Sequence, residues 1–198
     1  MADRDAKAHL HRYLQRAREA ILWKLEGSSP YDARRPMTQT GTNLLGLVKH
    51  LAGVEAGYFG LVFGRPFPER LAFMEEAAEP NADMWATSDE SQGDIVALYR
   101  RVWAHADVTI DELDLGATGQ VPWWPPAENP VTLHRILVHV TTETYRHAGH
   151  ADLLRELIDG EVGMMAGNEN LPPGDAAWWT TYRERLEATA READQAAR

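Results

Sequence analysis

The stretch VTLHRILVHVTTETYRHAGHADLLRELIDG, Val131 to Gly160, constrains the fold most, because it reads as one long amphipathic helix with polar groups set into its apolar stripe. At about 100° per residue, Leu133, Ile136, Val140, Glu143, His147, Ala151, Leu154 and Ile158 project within one narrow sector, with His150 at its border. A carboxylate among packed hydrocarbon is costly unless it is paired or bound to a metal. Imidazoles one and two turns further on supply partners for a metal.

Helical spacing also dominates the rest of the chain. A first helix is expected from about Ala6 to Glu26, with Leu10, Leu14, Ala17, Ile21 and Leu25 as its stripe and Gly27-Ser28-Ser29-Pro30 as its stop. A second begins at Thr42-Asn43, either of which can cap it, and runs to about Phe63. It carries Leu44, Leu47, Val48, Leu51, Val54, Tyr58 and Leu61, while Gly46, Gly53, Gly57 and Gly60 thin one side for close helix approach or a ligand. Gly64 to Pro68 breaks it, and the polar stretch to Asp89 holds at most a short helical piece around Glu69–Glu76.

A third helix is placed from Ser88-Asp89-Glu90 onward, followed by a loop from Gly116 to Pro130 containing Val121-Pro122-Trp123-Trp124-Pro125-Pro126. Thr132 or Asn129 precedes the fourth helix, and Gly160 suits its C-terminal stop. A fifth, Asp175 to about Ala193, presents Trp178, Tyr182 and Leu186 on one face and is expected on the bundle exterior. With almost no alternating strand pattern, the expectation is an all-α four-helix bundle with one extra C-terminal helix. One domain would cover residues 1–198, with its core at about 5–160 and an extension at 161–198. The long middle connections leave the helix path open.

Composition narrows the chemistry. The 198 residues include no cysteine, so disulfides, thiolate-bound zinc and a cysteine nucleophile are excluded, and a metal site must use His, Asp and Glu. A formal charge of −10 argues against general nucleic-acid binding, which needs clustered Lys and Arg. No apolar run approaches a bilayer span, and the charged N-terminal segment lacks the apolar region of a signal peptide. A soluble cytoplasmic protein acting on a small molecule is expected; whether two copies pair through a bundle face stays open.

Glu143 and His147, four residues apart, put two donors one turn apart on one helix face. His50, among Leu47, Val54 and the glycines of the second helix, is the best third donor. Three protein ligands with water completing the shell describe a catalytic site, whereas a structural site is closed by protein groups. Against this stands the simpler reading of each residue: a core histidine that only packs, or a Glu/His pair on a surface. His150 reads as a ligand, an orienting donor or a base beside the metal. His139 is expected at the bundle edge, and His9, His11, His105 and His134 in solvent.

Thr42–Gly60 (TNLLGLVKHLAGVEAGYFG), Val121–Trp124 (VPWW) and His139–Gly160 (HVTTETYRHAGHADLLRELIDG) together resemble the DinB-like superfamily of four-helix-bundle metalloproteins. They resemble most the branch whose last core helix ends in RHxGHxDxxRExxDG. That resemblance, over most of residues 5–160, implies a histidine from the second helix and two ligands four apart on the fourth, here His50, Glu143 and His147. Glu143 departs from the commoner His, and with His150 present the third ligand is either Glu143 or His150. The resemblance further implies a divalent metal, zinc first and nickel, iron or manganese next, that activates a low-molecular-weight thiol of the mycothiol or bacillithiol kind for S-transfer or isomerisation. Under it His150 is a candidate catalytic proton shuttle, and Trp123 and Trp124 wall the pocket mouth or cap the bundle end. Asp152 and Arg155 meet a polar cofactor, orient the ligands or form an intrahelical salt bridge.

Other classes fare worse. No Glu has His three positions later, as a ferritin-like di-iron site requires, and HExxH is absent. The remaining competitor is a non-catalytic, stress-related bundle in which a metal is structural or missing.

Overall fold

Four long helices carry the spacing found in the sequence: α1 (Ala2–Leu25), α2 (Leu44–Glu55), α3 (Gln92–Glu112) and α4 (Leu133–Asp159). The computed structural model describes residues 2–198, with side chains from Asp5 onward. Helix α1 packs mainly on α4 and α2 mainly on α3, with α2 also touching α4 and α1 to close the bundle. A two-residue antiparallel ribbon, β1 (Thr118–Gly119) and β2 (Val131–Thr132), clips the loop before α4 and is the only regular strand pairing named among the described residues. None of the described helices is long and apolar enough to cross a membrane.

Local chemistry sets the helix ends. The Asn43 side chain accepts from the Gly46 amide, and Thr132 accepts from the Arg135 amide, so these two cap α2 and α4. Asn129 instead clamps the tryptophan loop, accepting from the Val121 amide at 2.8 Å and donating to its carbonyl at 3.1 Å. Gly160, at φ 82, ends α4 in the left-handed conformation. Helix α3 starts later than the sequence reading placed it. Ser91 and Asp94 form a reciprocal capping box, while Glu90 is drawn away to the Lys49 ammonium and the Thr87 amide.

Helix α2 does not run uniformly to Phe63. Ala56–Gly60 is a π-turn in which the Leu61 amide reaches back to the Ala56 carbonyl, and a short 3₁₀ turn, Leu61–Phe63, follows. Such widened turns are frequent at functional sites. The expected helical piece at Glu69–Glu76 shrinks to a 3₁₀ turn at Ala72–Met74, with another at Ala82–Met84.

The core is divided. One apolar cluster includes Ile21, Leu25, Leu47, Leu51, Tyr99 and Leu154; the other includes Leu14, Phe59, Ile110, Leu133, Ile136 and Val140. On each long helix the change from one cluster to the other brackets polar groups: Arg18 on α1, Glu55 on α2, Glu143, Thr144 and His147 on α4, with Asp107 beside the break on α3. A polar belt therefore crosses the bundle at mid-height.

The last helix, α5 (Ala176–Ala196), is capped by Asp175 and contains no buried residue. Trp178 and Tyr182 stack on each other at 5.2 Å. The helix lies beside the bundle across a cavity of about 1000 Å³, lined by Gly149 and Asp152 of α4 and by Trp179 and Tyr182 of α5. It flanks the core without completing it.

Candidate metal centre

Two helices and one loop build the site. His50 comes from the middle of α2, and Glu143 and His147 from successive turns of α4, so the α2–α4 contact sets the distance between them. One donor atom from each lies within 4.8 Å of the others. His147 Nε2 donates to Glu143 Oε1 at 2.9 Å, and His50 Nε2 sits 3.7 Å from the same oxygen. The two imidazoles meet edge to face at 4.9 Å. His147 is buried, whereas His50 and Glu143 are partly open to a cleft.

Outer partners orient both rings. Asp83, from the turn Ala82–Met84, accepts a 2.6 Å hydrogen bond from His50 Nδ1. That bond puts the ring proton on Nδ1 and leaves the Nε2 lone pair facing Glu143. His150 Nδ1 lies 3.3 Å from His147 Nδ1, behind the ring. A proton moved to His147 Nδ1 has an acceptor there, and Nε2 is then free to ligate.

The electrostatics agree with ligation. Burial pushes the Glu143 carboxyl up, but His147 and His50 outweigh it and hold the group below its ordinary value, as an anion. Burial, aided by the neighbouring His50, holds the His147 imidazole below its ordinary value, in the neutral form that binds metals. Two imidazole nitrogens and one carboxylate oxygen, each within reach of one point, fit a divalent ion of the zinc type.

The cleft has a volume of about 590 Å³, with His50, Asp83 and Glu143 on one side and Phe73, Met74 and Trp123 on another. Its space comes from two glycines, Gly53 of α2 and Gly57 of the π-turn. A Cβ on Gly53 would press on Phe73 and Met74 at 3.2 and 3.3 Å, and one on Gly57 would press on Trp123 at 3.1 Å. The close approach that these glycines permit is therefore with covering loops, not with another helix.

The other expected site residues separate. Trp123 is half exposed and lines the cleft, whereas Trp124 lies behind it against His139 and beneath Arg135. Both indoles donate to the Tyr58 hydroxyl, at 3.2 and 3.1 Å. His150 stands behind His147 and does not line the cleft, so its position suits a partner of the ligand better than direct work on substrate. Arg155 requires a correction. It is buried near the far end of α4 and bonds the Lys24 and Glu26 carbonyls, Asp159 and Glu161, which leaves its guanidinium occupied with holding α1 to α4. Asp152 makes an ion-pair contact with buried Lys24 at 3.0 Å.

His139 also moves from its expected place. It is half-buried, lines the cleft and packs edge-on against Tyr58 and Trp124. Burial, aided by Arg135, lowers its pKa against the opposing pull of Glu143. The position Glu143 minus four was the signal for it. Asp83 had no such signal, since only the loop path brings it to His50.

Comparison with known proteins reinforces the geometry. A family model described as mycothiol-S-transferase matches residues 9–160, which include every residue of the centre and of the cleft wall. No curated protein matches the chain. The match extends over most of the sequence and stops where α4 ends, and the chain belongs to the mycothiol-S-transferase family.

Proposed function

We propose that this protein is a divalent-metal-dependent S-transferase that joins the sulfur of a low-molecular-weight thiol, mycothiol, to an electrophilic small molecule in the Trp123 cleft. The observation that carries this reading is the convergence of His50, Glu143 and His147 on one point at the wall of an open cleft. The family match supports the thiol.

When bound there, a divalent ion would lower the pKa of a thiol and so supply a thiolate near neutral pH. With no cysteine in the chain, the reacting sulfur has to arrive with the substrate. Zinc is the first choice for two imidazoles and a carboxylate, and nickel, iron and manganese use the same donors. His50, Glu143 and His147 would hold the ion, Asp83 fixes the His50 ring, and His150 accepts a hydrogen bond from His147 Nδ1–H, which leaves His147 Nε2 free to ligate. Phe73, Met74 and Trp123 give the electrophile an apolar wall that limits water.

Metal analysis of purified protein tests the centre. Wild type is expected to hold about one equivalent, and His50→Ala and His147→Ala to lose most of it. Stoichiometric metal in both variants removes the proposal. Mycothiol at about 100 times its dissociation constant should stabilise the metal-loaded protein by about 2.7 kcal/mol and raise its thermal midpoint by several degrees, with no shift in metal-free protein. An equal shift in the two forms disproves thiol binding at the metal.

A further inference from the structure

Tyr58 has an unusual hydrogen-bonding state. It occupies the π-turn, is largely buried and still lines the same cleft as Glu143 and His50. Its hydroxyl oxygen receives the indole N–H of Trp123 at 3.2 Å and that of Trp124 at 3.1 Å. Two donors occupy the acceptor capacity of a phenolic oxygen, so the group has only its own proton left to offer. Among the described residues no acceptor takes that proton. The ring is held too, edge-on to Trp123, Trp124 and His139 at 5.2, 5.8 and 4.7 Å, so the hydroxyl cannot swing away to seek a partner. A donor held at the wall of a cleft with no protein acceptor is poised for a bound group that accepts from it.

We propose that the Tyr58 hydroxyl is a dedicated hydrogen-bond donor to the electrophile, and that it selects substrates bearing an acceptor oxygen next to the carbon attacked. The selection of electrophiles rests on the S-transfer reading above; the donor itself does not. In a displacement at the carbon beside a carbonyl, the thiolate pair forms the new S–C bond and the leaving group departs as an anion with its bonding pair. Tyr58 keeps its proton throughout. Its hydrogen bond to the carbonyl oxygen positions the substrate and draws electron density from the reacting carbon. The two tryptophans act through Tyr58 and are positioning residues: they prevent the hydroxyl from turning acceptor. Phe73, Met74 and Trp123 suit a flat, apolar body on that electrophile, which makes aryl ketones the natural probes.

The test compares acetophenone with ethylbenzene, two unreactive ligands of similar shape that differ in the acceptor oxygen, by ligand-observed NMR titration of the zinc-loaded full chain. In Tyr58→Phe the ratio of ketone to hydrocarbon affinity should fall by roughly threefold to tenfold relative to wild type. Trp124→Phe leaves the cleft lining intact and frees one acceptor position on Tyr58, so the ratio should fall in the same direction by less. It also decides the matter alone if Tyr58→Phe does not fold. An unchanged ratio in the folded variants overturns the proposal.

Reaction with 2-chloroacetophenone and benzyl chloride, using mycothiol, separates this inference from the one beneath it. Loss of rate in Tyr58→Phe confined to the ketone supports selection, and equal loss with both overturns it. If wild type transfers thiol to neither yet the binding ratio still falls in the variant, the donor stands and the S-transfer reading fails.

Discussion

Arg18–Glu55 with Tyr99, and Glu143–His147 with His50, gather at the same polar belt near the junction of the two apolar clusters, and they solve the problem of buried charge in opposite ways. In the first, Arg18 and Glu55 are both fully buried and joined by two hydrogen bonds of 2.9 and 2.5 Å, and Tyr99 donates to Glu55 at 2.9 Å. Asp107 accepts from Arg18 at 2.7 Å and from His11 at 2.8 Å, and Trp103 lies 4.9 Å from the guanidinium. Burial works against the Arg18 charge, yet Glu55 outweighs it and raises the pKa; burial and then Glu55 push the Tyr99 hydroxyl up. The second group has two imidazoles and a carboxylate, no Lys or Arg, and one side on a cleft. A closed cluster supplied with its own cation is part of the framework. An open one composed of donors is suited to binding.

That contrast can be broken most forcefully at Glu55. Glu55→Ala leaves buried Arg18 with Asp107 as its one carboxylate and Tyr99 without its acceptor, and should cost about 3–5 kcal/mol in denaturant unfolding, with little change in the metal held by refolded protein. The double change Arg18→Met/Glu55→Leu should lie nearer wild type, because no lone charge remains. If Glu55→Ala unfolds like wild type, the closed cluster is not structural.

Asp83→Asn sharpens the other side. Weakening the orienting bond to His50 should reduce zinc affinity by about 10–100-fold in competition with a chelator, with unfolding of the metal-free protein nearly unchanged. An unaltered zinc affinity means that Asp83 does not act through His50.

The smallest effect lies at Asp107, where the closed cluster reaches the surface. Burial raises this carboxyl, but the His11 hydrogen bond and Arg18 outweigh it, so its folded pKa lies below its ordinary value. The unfolded chain then binds the proton first on acidification. The stability that Asp107 contributes is full above the unfolded value of about 3.9 and is lost as pH falls from there through the lower folded value. Asp107→Asn should therefore lower stability at neutral pH by about 1 kcal/mol or more and flatten the acid limb of a stability–pH profile. Parallel acid limbs in the two proteins refute that linkage.

The open cluster was legible in the sequence because it violates periodicity: Glu143 and His147 fall where hydrocarbon belongs, and His50 sits among Leu47, Leu51 and Val54. Helix ends at Thr42-Asn43, at Asn129 or Thr132 and at Gly160 were equally readable, since each needs only its near neighbours, though the choice between the paired candidates needed the structure. The closed cluster went unread although its signal was of the same kind. Arg18 lies four residues after Leu14 and three before Ile21, and Glu55 four after Leu51 and four before Phe59. A charge on an apolar stripe is easily taken for its border, and only the partner helix shows which charges meet. Asp83 and the role of Tyr58 depend on loops that fold back over α2, and periodicity carries no information about them. For Arg155 the intrahelical salt bridge was legible, as the bond to Asp159, but its other partners, carbonyls at the end of α1, were not.

The π-turn at Ala56–Gly60 has a consequence for how this protein tolerates insertions and deletions. One residue beyond the α-helical count is stored there, which sets the angular phase of everything downstream. Deleting Ala56 or Gly57 would let the ladder of hydrogen bonds revert to ordinary spacing and rotate Tyr58 and the following segment by about 100°. The phenol would then leave the paired indoles, and Val62 would leave the apolar cluster it shares with Ile110 and Val121. In this stretch a change of length is more damaging than a change of side chain, and libraries that vary composition at constant length should retain folded members where single-codon deletions do not.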